Sequence, residues 1–249
     1  MTHLLALHGF TGCGNDFAPL QAYLPTVTWI CPDLPGHERG RPTVQPVSLD
    51  AVDALLEGCT EGMPPLWVLG YSLGGRLALR FALNHPERVA GLVLIGTTPG
   101  FRDEHERAAR LAADHATANR ILNAPLPVFL EAWMDSPMIR SQKKLPPDWL
   151  EAMRTRRLQH DPQRLASAAI ALGQGSFPPL WDALPRLNKT VTLITGESDK
   201  RYGAIAERML ALLPQGQAVH HRLPGAGHCA HLENPDALIA SLPRAFRVG

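Results

Sequence analysis

The 249 residues predict an α/β protein: a mostly parallel, doubly wound sheet with a helical cap inserted between two of its strands. Three observations predict it. Short apolar runs recur along the chain and alternate with helical patterns. A Gly-x-Ser-x-Gly turn joins one of those runs to a helix. Residues 100–186 carry helical patterns and no convincing strand.

The apolar runs are Leu4–Leu7, Val27–Cys31, Leu66–Leu69, Leu92–Ile95, Val191–Thr195 and Ala218–Leu223. Near-continuous apolar runs of this length fit strands buried on both faces. The cap reads as helices at Arg102–Leu122, Val128–Met134, Trp149–Leu158 and Gln163–Leu172, punctuated by Pro125, Pro127 and Pro146-Pro147. The core is therefore 1–99 with 187–249, and 100–186 is the cap. A cap over an active-site edge excludes water and lines the pocket.

Composition narrows the function classes. Net charge is +1, so no global field favours nucleic acid or a membrane surface. The start, Met1 to Gly9, lacks a basic region followed by a long apolar one. No apolar stretch approaches the ~20 residues of a spanning helix. A cytoplasmic protein is expected. Cys13, Cys31, Cys59 and Cys229 are scattered without metal-ligand spacing, so neither disulfides nor a metal or other cofactor is expected.

The chemistry is concentrated in Trp67-Val68-Leu69-Gly70-Tyr71-Ser72-Leu73-Gly74-Gly75-Arg76. An apolar strand ends in a sharp turn, and a helix over Arg76–Asn84 follows, ended by Pro86. Gly70 and Gly74 flank Ser72 because such a turn leaves no room for side chains beside the serine. The hydroxyl is then held out at the mouth of the sheet, next to helix N-terminal N–H groups.

A nucleophilic serine needs a base, and the base an orienting carboxylate. His228, in Gly225-Ala226-Gly227-His228, follows the last strand. Asp199, in Gly196-Glu197-Ser198-Asp199, follows the strand before it. Glu197 and His231 are rivals for these two roles. Asp33 and His37 also follow a strand, and local loop hydrogen bonding is the expected job of both. The two oxyanion donors are expected to be the N–H of Leu73, directly after the serine, and that of Phe10 in His8-Gly9-Phe10-Thr11-Gly12.

His8-Gly9, the elbow and the late Gly-His resemble the α/β-hydrolase superfamily, in which Ser, Asp and His follow in that order. A closer resemblance covers nearly the whole chain. His8–Gly12, Gly70–Arg76, Gly196–Lys200 and Gly227-His228-Cys229-Ala230-His231-Leu232-Glu233-Asn234-Pro235 are similar to the 2-succinyl-6-hydroxy-2,4-cyclohexadiene-1-carboxylate synthases of menaquinone biosynthesis. The resemblance implies a lyase. The serine, backed by histidine, acts as a base on a ring C–H, and pyruvate is eliminated without an acyl-enzyme. The oxyanion hole holds enolate-like charge on the succinyl ketone.

The substrate so implied carries three carboxylates, and guanidinium groups bind carboxylates bidentately. Arg76, one turn after the elbow, matches the family's arginine there. Glu106-Arg107-Ala108-Ala109-Arg110 resembles the first cap helix and nominates Arg110. Arg157-Leu158-Gln159-His160-Asp161-Pro162 resembles a second cap segment and nominates Arg157, with Arg154 and Arg156 as competitors. Tyr71 and Trp133 match an aromatic before the serine and a cap tryptophan. Arg102 and Arg107 read as solvated helix residues. Two departures bear on pocket shape: Cys229 replaces an asparagine, and no aromatic follows Trp133.

A small polycarboxylate is thus the expected partner, with no nucleic acid and no membrane. A carboxylesterase or thioesterase would use the same three residues and stays open as the alternative. A non-catalytic small-molecule receptor would have no use for all three.

Overall fold

The computed structural model describes residues 2–39 and 46–246. Among these, six strands form one parallel sheet: β1 (Thr2–Leu7), β2 (Val27–Ile30), β3 (Leu66–Tyr71), β4 (Val89–Ile95), β5 (Thr190–Gly196) and β6 (Ala218–Leu223). Every predicted strand is present, several of them longer than the apolar run alone. The spatial order is β2-β1-β3-β4-β5-β6. In register, Leu4 lies between Trp29 of β2 and Trp67 of β3.

Alternation along the strands builds two cores. Leu5, Leu7, Val68, Leu92, Leu94 and Leu193 face one layer of helices. Leu4, Ala6, Leu69, Val93, Ile95 and Ile194 face the other. Both faces are apolar because helices cover both, as parallel connections require. The core helices are α1 (Ala18–Gln21), α2 (Leu49–Cys59) and α3 (Leu73–Asn84) before the cap. After it come α8 (Lys200–Leu210), α9 (Ala230–Glu233) and α10 (Pro235–Ser241).

The cap helices between β4 and β5 are α4 (Glu104–Asn123), α5 (Leu126–Met134), α6 (Pro147–Arg157) and α7 (Pro162–Ala171). Their starts are written in the sequence. Asp103 accepts from the Glu106 N–H, and Asp161 accepts from the Arg164 N–H with Pro162 behind it, so both helices begin on a capping carboxylate. The cap has its own small core of Ile121, Phe129, Leu130, Leu165 and Ala169, against which Phe10 of the β1 loop packs.

This topology positions the site. The chain leaves β1 for β2 at the edge and returns to β3 on the other side of β1. The carboxyl ends of β1 and β3 therefore border a crevice where the winding reverses, the place open α/β sheets bind ligands. The His8–Gly12 loop and Ser72 sit there.

Candidate active site

Ser72 occupies the turn between β3 and α3 with φ 52° and ψ −106°, a strained backbone for a residue with a side chain. Its N–H donates to the Ile95 carbonyl at 2.9 Å, and its carbonyl accepts from the Thr97 hydroxyl at 2.8 Å. These bonds clamp the turn. The flanking glycines are sterically obligatory. A Cβ on Gly74 would stand 2.1 Å from the Leu7 carbonyl oxygen, and one on Gly70 would stand 2.4 Å from that of Gly74. The helix starts at Leu73, three residues before the predicted Arg76, because close packing takes Gly74 and Gly75 into the first turn.

Three distant segments meet at the serine. Its hydroxyl lies 3.1 Å from His228 Nε2, and His228 Nδ1 lies 2.7 Å from Asp199 Oδ2. The neighbouring carboxylate fixes the tautomer: Nδ1–H donates to Asp199, leaving Nε2 to accept from Ser72. The other Asp199 oxygen accepts from the Tyr202 N–H at 3.2 Å and caps α8. The Tyr202 ring packs on His228 at 4.6 Å between centroids. Such a line can move a proton from serine to histidine while the buried carboxylate stabilises the imidazolium.

The rivals lie elsewhere. Glu197 is exposed and accepts from the Gly225 N–H. His231 is buried against the Tyr71 ring, 4.5 Å away, and desolvation drags its pKa down to about 3, so it stays neutral. Asp33 does the loop bonding expected of it, accepting from the Gly14 N–H and pairing with Arg39. The His37 ring is buried, with Nδ1 3.4 Å from the Pro35 carbonyl. The four cysteines are free thiols, Cys13 and Cys229 buried.

Above Ser72 lies a pocket that is partly open to solvent. Phe10, Leu73, Tyr71, Arg76, Arg110, Trp133 and Arg157 all line it, together with Ser72 and His228. The N–H of Leu73 opens α3, where no intrahelical acceptor exists. Phe10, in the β1 loop, lines the same pocket. Asp199 reaches the site only through His228.

The arginines differ in their partners. Arg76 is 4% exposed, donates to the Leu172 carbonyl at 2.9 Å and lies 5.6 Å from the Phe177 ring centre. Its Nε is buried without a partner. No carboxylate pairs with it among the described residues, and desolvation pulls its pKa down to about 10. Arg157 is also buried. It donates to Gln142 Oε1 at 3.0 Å, touches the Met134 sulfur, and leaves Nε unpartnered. Arg154 is exposed beside Glu131, and Arg156 pairs with Asp16, so of the three only Arg157 lines the cavity. Arg110 is different: it is already paired with buried Asp114 at 2.7 Å. Arg102 is an exposed residue paired with Asp182, and Arg107 is half-buried on α4. Trp133 Nε1 is a further buried donor without a partner.

Sequence reading missed Gln142 and Asp114. Gln142 accepts from Arg157 and donates to the Tyr71 hydroxyl at 3.4 Å, tying two lining residues together. Asp114 also accepts from the Gly175 N–H at 2.9 Å. Its spacing from Arg110, one helical turn, was a readable signal. Among the described residues no cluster of His, Cys, Asp or Glu has the arrangement of a metal site.

Known proteins share this architecture. A model of the alpha/beta hydrolase family matches residues 4–241. A protein of Enterobacter sp. (strain 638) named 2-succinyl-6-hydroxy-2,4-cyclohexadiene-1-carboxylate synthase is 33% identical, the match covering 98% of this chain and 92% of that one. The structure of MenH from S. aureus superposes with a TM-score of 0.86 at 28% identity, covering 95% of this chain and 90% of that one. A thermophilic esterase from Thermogutta terrifontis, 24% identical with a TM-score of 0.76 over 96% of this chain and 86% of that one, shares the fold. The chain belongs to the α/β-hydrolase family and, within it, groups with the 2-succinyl-6-hydroxy-2,4-cyclohexadiene-1-carboxylate synthases.

Proposed function

We propose that the chain is a carbon–oxygen lyase that releases pyruvate from 2-succinyl-5-enolpyruvyl-6-hydroxy-3-cyclohexene-1-carboxylate, leaving 2-succinyl-6-hydroxy-2,4-cyclohexadiene-1-carboxylate. The observation that carries this reading is the pairing of Ser72 with buried, carboxylate-free arginines in one cavity. A buried guanidinium without a counterion is costly. Arg76 and Arg157 become economical once substrate carboxylates fill the space before them.

In this reading His228 takes the Ser72 proton, and the serine oxygen removes the ring proton next to the succinyl ketone. Negative charge develops on the ketone oxygen, where the N–H groups of Phe10 and Leu73 receive it. Donors so placed contribute ~3–4 kcal/mol each to the transition state. The ring electrons then form the second double bond as the C–O bond to the enolpyruvyl group breaks. The leaving enolate takes a proton and becomes pyruvate. Arg76, Arg110 and Arg157, with Trp133 and Tyr71, hold the three carboxylates and the ring. A cytoplasmic place of action belongs to the same reading. Among the described residues no helix is long and apolar enough to cross a membrane.

The test is pyruvate release from freshly made substrate, with Ser72→Ala as control. Release above the spontaneous rate, lost in the control, is expected. Background release by folded protein, together with turnover of neutral esters, would instead favour an esterase or thioesterase using the same serine.

A further inference from the structure

The loop that presents the Phe10 N–H contains a strained residue. Thr11 has φ 64°, a left-handed conformation that a β-branched residue adopts only when its surroundings impose it. Inside the loop the Gly12 N–H donates to the Gly9 carbonyl at 3.0 Å, and His8 Nδ1–H donates to the same carbonyl at 2.8 Å. Neither bond touches Thr11. The Thr11 hydroxyl is buried without a partner. Its carbonyl is held from outside, by His160 Nε2 at 2.9 Å, across 149 residues of chain.

His160 belongs to the cap. It lies between α6 and α7, is 4% exposed, and forms an isolated antiparallel bridge with Arg39. A carbonyl only accepts, so Nε2 carries the proton. The other ring nitrogen is buried without a partner, which leaves the Thr11 bond as the ring's one polar tie among the described residues. Its ring stands edge-on to His37 at 5.6 Å, and His37 in turn meets the Phe10 ring at 5.6 Å. One cap residue thus reaches the chain that carries the Phe10 N–H in two ways: Thr11 by a hydrogen bond, and the Phe10 side chain through His37.

We infer that His160 is a positioning residue for the reaction: its Nε2–H pins the Thr11 carbonyl, and so aims the Phe10 N–H at the developing oxyanion only while the cap is seated. The inference rests on the reading of Phe10 as an oxyanion donor. It makes the cap more than a lid, because seating it completes the machinery on the core.

The experiment measures kcat and KM for pyruvate release by the intact chain and its variants, with a thermal melt of each. His160→Phe keeps a ring against His37 and removes the donor. His160→Gln removes the ring and keeps an N–H at the end of the side chain. The phenylalanine variant is expected to lose about tenfold to hundredfold in kcat, less than the ~10²–10³ for outright loss of an oxyanion donor. Its KM should change little, since the interaction acts in the transition state. The glutamine variant should regain most of the rate. Wild-type kcat in the phenylalanine variant, or a glutamine variant as slow as it, overturns the inference. If the phenylalanine variant does not fold, the glutamine variant alone decides: near-wild-type kcat supports the donor role, and a large loss overturns it. Phe10→Pro separates the two readings. Full activity there removes the oxyanion role of Phe10 and this inference with it. An inactive Phe10→Pro beside an unaffected His160→Phe removes the positioning role alone.

Discussion

The guanidinium of Arg76 loses its hydration on folding; among the described residues it donates to the Leu172 carbonyl, lies by the Phe177 ring and pairs with no carboxylate. On the proposed reading, binding rather than folding accounts for a charge kept there. Arg76→Met is therefore expected to move two quantities in opposite directions. Specificity for the tricarboxylate should fall by ~2–5 kcal/mol in kcat/KM terms, the loss typical of removing one partner of a buried charge pair. The unliganded protein should gain about 1 kcal/mol, because an apolar chain replaces an unpaired buried charge. Steady-state kinetics and urea unfolding check the two arms, and unchanged turnover would remove Arg76 from the binding set. Such residues were legible where the signal is local. Ser72 announces itself by its glycines, and Asp199 and His228 by the strands they follow. Gln142 does not, because its partners Arg157 and Tyr71 lie 15 and 71 residues away and only folding joins them. His160 is silent for the same reason.

At the scale of elements, the elbow works because β1, β3 and α3 are packed backbone to backbone. The Gly74 N–H donates to the His8 carbonyl at 3.1 Å while its Cα faces the Leu7 carbonyl. Gly74→Ala cannot be accommodated by rotating a side chain, since the obstacle is main chain 2.1 Å away. It should cost about 1–3 kcal/mol as overpacking and push α3 off β1. Thermal unfolding should show the loss, and activity should fall further than stability because Leu73 moves with the helix. A Gly74→Ala protein with wild-type melting and rate would mean that α3 shifts freely on the sheet. The sequence pattern located α3 but began it at Arg76. Glycines score poorly as helix formers, and the tertiary packing that draws them into the first turn has no local signature.

At the scale of the whole molecule, cap and core are joined beside the β1 loop by ion pairs and a histidine hydrogen bond. Arg156 of α6 pairs with Asp16, Arg164 of α7 with Glu38, and His160 with Thr11. Around them His8, His37 and His160 are buried, and burial lowers the pKa of each. His231, beneath Tyr71, is lowered to about 3. The strand and helix pattern was readable from apolar periodicity. This clustering was not, because the histidines come from four separate segments and their burial is a property of the assembled fold. Its consequence has a definite sign. Unfolded histidine titrates near ~6.5, above each folded value. Between the two the unfolded chain binds more protons, so stability is full above about pH 6.5 and falls as pH drops toward the folded values. For His231 alone the limit is about 5 kcal/mol, reached only near pH 3. Urea unfolding between pH 7.5 and 4.5 should therefore show a steep acid-side decline. His231→Phe keeps the ring packing on Tyr71 and Phe17 and removes one titrating site. Its acid-side slope should be shallower by about one proton's worth, roughly 1.4 kcal/mol per pH unit. An unchanged slope would show that His231 titrates alike in the folded and unfolded chain, and would shift the acid sensitivity to the three histidines at the cap junction.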